Sequence, residues 1–346
     1  MGQPPVGGRI TAEILRVAAL RVGVRERAEA LIEALRPVLR HDAAWLSLLD
    51  PERWLQEPVA TPGHRPRLRH HLTSREFMAE VERVGMHRGR RPIRVVDSPV
   101  PVSELAVWVD HFAPAGLAEG VSVPLVTADG RYVGLLGAHT ESPVPLGDED
   151  VDLLVMLTPL IAHVVDPLRT LTTLTGMVQD ARAGVVLTRA GRAEGLPGLP
   201  GPRELGVEPA TLRLLGSLLT PDRTLARFLV PGEDPPGQPV LLRVTALACP
   251  PEPPGHYRAM MLLGPPPETY GLTRRELQVL GLLVEGRSNA AIANELRITA
   301  RTAVGHLEHI MLKMRAESRT AAAVRADRQG LYMPAGLLNP IPHITR

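Results

Sequence analysis

Apolar positions fall at intervals of three and four in three successive short runs between Gly271 and Met314, and a capping residue precedes each run. Thr273 and Glu276 form a capping box, in which the hydroxyl takes the amide of the third helical residue and the carboxylate reaches back to the cap amide. The helix that starts there has the stripe Leu277, Leu280 and Val284, with Val279 and Leu283 beside them, and Gly286 ends it. Ser288 caps a second helix that buries Ile292, Ala293 and Leu296, and Arg297 and Ile298 make the tight connection onward. Thr299 caps a third helix, with Ala303, Leu307, Ile310 and Met314 on one face and Arg301, Gly305, Glu308 and Leu312 on another.

Upstream the periods are mixed. Thr11 to Arg40 reads as helical, with Ile14, Leu15, Ala18, Leu31, Ile32, Leu35 and Val38 spaced for burial. Ala43 to Leu49 predicts a strand with Trp45 and Leu48 as core candidates. Val121, Val123 and Leu125 alternate, Asp129 and Gly130 supply a hairpin turn, and Tyr132 to Ala138 is the return strand. A helix capped by Gly147 or Asp148 follows, with Val151, Leu154, Val155, Thr158, Ile161, Ala162 and Val165 on one stripe and Pro159 expected to kink it. From Met177 to Gly264 the order is a strand at Gly184 to Thr188, a helix containing Leu212, Leu215 and Leu219, and strands at Val240 to Leu247 and Tyr257 to Leu263. Pro and Gly clusters at 195–202, 231–239, 250–255 and 264–267 predict loops, the last a linker.

A short helix turned about a tight connection against a second helix, with one side free, fits a DNA major groove. The residues Leu272, Thr273, Arg275, Glu276, Val279, Leu280, Gly286, Ser288, Asn289, Ile292, Ala293, Leu296, Ile298, Thr302, His306, Ile310, Lys313 and Arg319 resemble the LuxR-type (GerE-like) helix-turn-helix family. The resemblance implies an all-α four-helix domain over 271–333 that binds double-stranded DNA, with a fourth helix at Arg319 to Arg328 pairing in a homodimer through Ala321, Ala322 and Val324. Its expected DNA-binding residues are Arg287, Ser288, Asn289, Arg297, Thr299, Arg301, Thr302, Val304, Gly305, His306, Glu308, His309 and Lys313. The family usually has Thr-Val-Lys in the recognition helix where this chain has Thr302, Ala303 and Val304, and Glu308 occupies a later position that often touches DNA. Two cations are therefore missing, which is expected to weaken or redirect binding. Glu308 can instead accept from a cytosine amino group and Val304 can meet a thymine methyl. The alternative is an adaptor that uses the same fold for protein contact.

The strand pair, polar turn and Leu-Gly-Asp-Glu-Asp helix start over Gly120 to Val165 resemble the end of a GAF domain, which implies an α+β sensor over 11–175 for an unidentified small molecule or a partner protein. Cys249 lies outside that region, so no bilin-type attachment is expected. The strand, helix and paired strands of 176–264 suit a shortened α+β PAS-like domain, leaving 1–10 as a flexible N-terminus, 265–270 as linker and 334–346 as tail. The three-part order resembles some actinobacterial regulators.

Charge and composition narrow the function further. Between Gly271 and Met333 ten Lys and Arg face six acids, a net of +4, against +2 for the whole chain of 346 residues, so basic charge gathers on the segment that would meet phosphate. Lys313 is the only lysine, and Cys249 the only cysteine, so no internal disulfide forms and a reducing, cytoplasmic setting is expected. The most apolar stretch, Val151 to Val165, is too short to cross a membrane. From Thr61 to Arg94 nine arginines outnumber three acids and His64, His70, His71 and His87 intervene; a solvated loop and helix is favoured over a metal or anion site, since zinc spacing is missing. Trp108 and His111 are candidates for a sensor pocket or for plain core. No phosphate-cradling loop, dinucleotide fingerprint or nucleophile elbow occurs, so neither catalytic residues, a cofactor nor a metal is expected.

Overall fold

The computed structural model describes residues 6–64, 66–175, 178, 180–233 and 238–337. Its contacts fall into two compact units, residues 1–170 with 251–256 and residues 171–250 with 257–346.

In the first unit the helical stretch divides into α1 (Val6–Ala18) and α2 (Val24–Leu35), parted at Gly23, which caps α2 in an extended conformation. Helix α1 thus begins inside the stretch expected to be a flexible N-terminus; residues 1–5 lie outside the described residues. A five-stranded antiparallel sheet follows, built from β1 (Ala43–Asp50), β2 (Leu55–Ala60), β3 (Ile93–Arg94), β4 (Glu119–Val126) and β5 (Tyr132–Thr140) in the order β2-β1-β5-β4-β3. Every residue of β1 is buried because both faces of the sheet are covered, which is why its sequence lacks clean alternation. Leu46, Leu48, Val123 and Leu136 pack with α1, α2 and the long helix α5 (Asp148–Val165), whereas Trp45, Leu49 and Leu135 pack with α3 (Pro66–Leu72), α4 (Arg75–Val84) and the chain around Phe112. The expected hairpin is present, with Gly130 at φ 87°, and Arg131 closes it onto the end of α5 through paired bonds of 3.2 and 2.7 Å to the buried Asp166 carboxylate. Helix α5 runs unbroken through Pro159. The arginine-rich run forms α3 and α4 rather than one loop and helix; Arg65 lies outside the described residues.

The second unit includes a second antiparallel sheet: β6 (Ala183–Thr188), β7 (Ala193–Gly195), β8 (Leu225–Glu233), β9 (Pro239–Ala248) and β10 (Tyr257–Gly264), ordered β7-β6-β10-β9-β8. Ranked by chain order, this is the same 2-1-5-4-3 arrangement as the first sheet. Helix α6 (Leu168–Thr175) precedes it and α7 (Pro209–Gly216) packs against it. Two of its strands, β7 and β8, fall on stretches expected to be loops or left unassigned. Pro231 disguises β8, yet it is tolerated there: β8 is an edge strand, and Pro231 shares the parity of Leu229, whose amide points away from β9 to the Tyr332 carbonyl at 2.7 Å. The missing amide of Pro231 therefore costs no ladder bond.

Four helices complete this unit, α8 (Arg274–Val284), α9 (Asn289–Leu296), α10 (Ala300–Met314) and α11 (Arg319–Gln329). Their apolar faces join one continuous core with the inner face of the second sheet, so the helices and the sheet are a single packed body. The seam is close. A Cβ on Gly330 would lie 2.5 Å from that of Arg227, one on Gly281 1.8 Å from the Met333 carbonyl oxygen, and Arg223 donates to Asp327 and to the Tyr332 hydroxyl, both at 2.7 Å.

Candidate nucleic-acid interface

Each of the last four helices starts on a side-chain cap. Thr273 accepts from the Glu276 amide at 3.3 Å while the Glu276 carboxylate accepts from the Thr273 amide at 2.7 Å; Ser288, Thr299 and Ser318 accept from the amides of Ala291, Thr302 and Ala321 at 3.3, 3.1 and 3.1 Å. Arg297 makes the turn between α9 and α10 in the left-handed region at φ 52°, a conformation costly for a side chain but fixed by its amide bonds to the α9 carbonyls. Helix α10 buries Ala303, Leu307, Ile310 and Met314 and exposes Arg301, Thr302, Val304, Glu308, His309 and Leu312. Nothing lies within 4 Å of the Cβ position of Gly305, so this stripe is open along its length.

The chain matches the family described as bacterial regulatory proteins, luxR family, over residues 271–326, and the GAF domain family over residues 22–166. It carries a GAF domain and a LuxR-family helix-turn-helix. The transcriptional regulatory protein LiaR of Bacillus subtilis is 45% identical over 60 residues, 17% of this chain and 28% of that protein. The transcriptional regulatory protein DegU of Brevibacillus brevis is 41% identical over 59 residues, 17% of this chain and 25% of that protein. Both matches thus span well under two thirds of the relative. The crystal structure of the GAF domain from an Acinetobacter phosphoenolpyruvate-protein phosphotransferase aligns at 12% identity over 51% of this chain and 99% of that one, with a TM-score of 0.37.

Within the LuxR-family domain the thirteen residues expected to meet DNA do not all share one environment. Arg297, Thr299, Arg301, Thr302, Val304, Glu308 and His309 are exposed, Gly305 and His306 are half-exposed, and neither the Arg297 nor the Arg301 guanidinium has an ionic or hydrogen-bonding partner among the described residues. Arg287 and Ser288 are exposed at the start of α9, with Arg287 3.9 Å from Glu285. Asn289 accepts from Arg319 at 3.4 Å, and Arg319 also donates to the Arg287 carbonyl at 2.9 Å, tying α11 to α9. Lys313 is engaged: its ammonium donates to Glu276 at 2.7 Å and to the Gly271 carbonyl at 3.0 Å. Burial pushes the Glu276 carboxyl up, but the bonds from Lys313 and Thr273 outweigh it and hold the group below the usual carboxylate range. Lys313 therefore braces α10 against α8 instead of reaching outward. Of the expected dimer residues, Ala321 is half-buried and Val324 46% exposed, but Ala322 is fully buried in the chain's own core.

The GAF domain holds a feature that spacing alone did not give. His64, His71, His111 and His139 converge on the sheet face covered by α3 and α4: the His71 and His111 rings are 4.7 Å apart, those of His64 and His139 5.8 Å, and His139 lies 3.8 Å from Phe112. Trp108, expected as either pocket or core, packs its ring 5.8 Å from Phe112. Buried nitrogens of His64, His71 and His139 and the Trp45 indole nitrogen have no hydrogen-bond partner. Desolvation, with mutual repulsion, lowers His64 to about 4 and His139 to about 3, and desolvation also lowers His111. The His64 and His139 imidazoles are therefore neutral at pH 7. His70 stays exposed on α3, and no group of three His, Cys, Asp or Glu side chains among the described residues is placed to hold a metal ion. Burial pushes the Cys249 thiol up to about 12, so it is poorly nucleophilic.

Proposed function

We propose that this chain is a non-enzymatic, cytoplasmic transcriptional regulator that binds duplex DNA as a homodimer through α9 and α10, under control of its GAF domain. The supporting observation is the open stripe of α10, where Arg301, Thr302, Val304, Gly305 and Glu308 run beside the unpaired Arg297. A helix exposed along one face and fixed by a tight turn against α9 has the shape that enters a major groove, and the unpaired arginines supply phosphate contacts. Arg287, Ser288, Thr299, His306 and His309 lie on or beside this surface, and Ala321 with Val324 is the remaining candidate patch for pairing of α11. The curated relatives named above are called transcriptional regulatory proteins, and no described helix is long and apolar enough to cross a membrane. The GAF domain is the candidate seat of a small-molecule or protein signal, and the second sheet, with its repeated strand order, fits a PAS-like module of 176–264. A signal of either kind acts by favouring one dimer arrangement over another.

Glu308 on the open stripe, with Val304 where a cation is usual, favours one second reading: an adaptor whose helix-turn-helix meets protein. Duplex-DNA binding of the full chain, titrated with salt, separates the two. A regulator gives affinity that falls linearly in log–log form as counterions return; no affinity at low ionic strength sinks the DNA reading.

A further inference from the structure

The second unit contains a cleft of about 650 Å³ between the outer face of β8–β9, the segment entering α8 and the end of α11. Arg227, Arg243 and Arg328 line it, opposed by Asp180 and Glu268. Asp180 is paired with Arg243, whereas the Arg227 and Arg328 guanidinium groups have no ionic or hydrogen-bonding partner among the described residues. Two guanidinium groups without ion-pair partners line one cleft, and an anion bound there accepts forked hydrogen bonds from them. The end of α11 does not counter this strongly, because the Gly330 and Leu331 amides already take the Asp327 and Ala326 carbonyls at 3.2 and 2.9 Å. Tyr270 adds a half-buried ring whose hydroxyl accepts from the Gln329 amide nitrogen at 3.1 Å, presenting an aromatic edge in a fixed place. The volume lies within the range of small-molecule sites.

We propose that this cleft binds an organic phosphate bearing a planar ring, of the size of a nucleoside diphosphate, with Arg227 and Arg328 on the phosphates and the ring against Tyr270. The site is separate from the GAF domain and from the open stripe of α10. Because it touches both β8 and α11, its occupancy bears on how the helix-turn-helix is held to the second sheet.

The test is calorimetry on the full chain at low salt with two probes, ADP and inorganic pyrophosphate. Saturable binding of ADP is expected, with pyrophosphate weaker. Arg328→Glu, an exposed position with no bond to lose, weakens ADP by about tenfold or more as a fork contact is replaced by repulsion. Tyr270→Leu weakens ADP but leaves pyrophosphate unchanged. Arg227→Gln repeats the Arg328 result at the other guanidinium without adding an acid. The proposal is overturned if neither probe binds saturably, or if Arg328→Glu binds ADP as the unaltered chain does, which places the nucleotide elsewhere. It is equally overturned if these substitutions reduce duplex-DNA affinity while ADP binding stays intact, which makes the arginines backbone contacts.

Discussion

Glu308 places a carboxylate on the exposed stripe of α10, where a groove-facing helix would be met by phosphate potential. Glu308→Lys is expected to tighten non-specific duplex binding and to steepen its log–log salt dependence by about one unit per added phosphate contact; an unaltered slope places this stripe away from DNA. Lys313 gives the opposite expectation despite being the chain's only lysine. Its ammonium is spent on Glu276 and Gly271, so Lys313→Met leaves the salt slope as it was and instead destabilises the folded chain by about 1–2 kcal/mol in urea denaturation, since a largely buried carboxylate loses its cation. The sequence marks Lys313 as a family position but is silent on which way its charge points. That depends on Glu276, 37 residues earlier, being carried beside it by the crossing of α8 and α10.

Among the elements, the GAF sheet and the helices over its second face enclose the His64 and His139 imidazoles, which burial holds neutral. In the unfolded chain these groups take up protons near pH 6.5, while in the fold His64 does so only at about 4 and His139 at about 3. The folded state thus binds fewer protons below pH 6.5, so stability is complete above that value and declines as pH falls from 6.5 toward 4. Trp45, Trp54 and Trp108 all lie in this domain, so tryptophan fluorescence during thermal unfolding reads it selectively; a midpoint constant between pH 7 and 4.5 contradicts the buried-imidazole reading. The hairpin β4–β5 was legible in the sequence because its alternation and Asp129–Gly130 turn are local. The histidine convergence was not: His64 and His71 come from one segment, His111 and His139 from others, and only the closure of the sheet under α3 and α4 assembles them. Strand β8 was missed for a related reason, since Pro231 signals a loop until its place on a sheet edge is known.

Across the whole second unit, the helix-turn-helix is not an appendage on a linker but shares a core with the second sheet through Leu331, Tyr332 and Met333. Gly330 sits at φ 66° directly on the backbone of Arg227. Gly330→Val combines left-handed strain with a clash, and is expected to destabilise this unit by about 2–4 kcal/mol, seen as faster hydrogen exchange in both α8 and β8. Loss of protection in α11 alone would mean that sheet and helices fold independently. Elements with local causes follow directly from the order of residues: the caps at Thr273, Ser288 and Thr299, the apolar stripes of α8 to α10, and the hairpin of the GAF domain. Capping and amphipathic periodicity act within a few residues, so they can be read along the chain. Tertiary structure alone decided which charges remain free, which histidines meet, that Ala322 is core, and that α11 docks on an edge strand about a hundred residues upstream of it. Those outcomes depend on burial and on contacts between distant segments, and no periodicity records either.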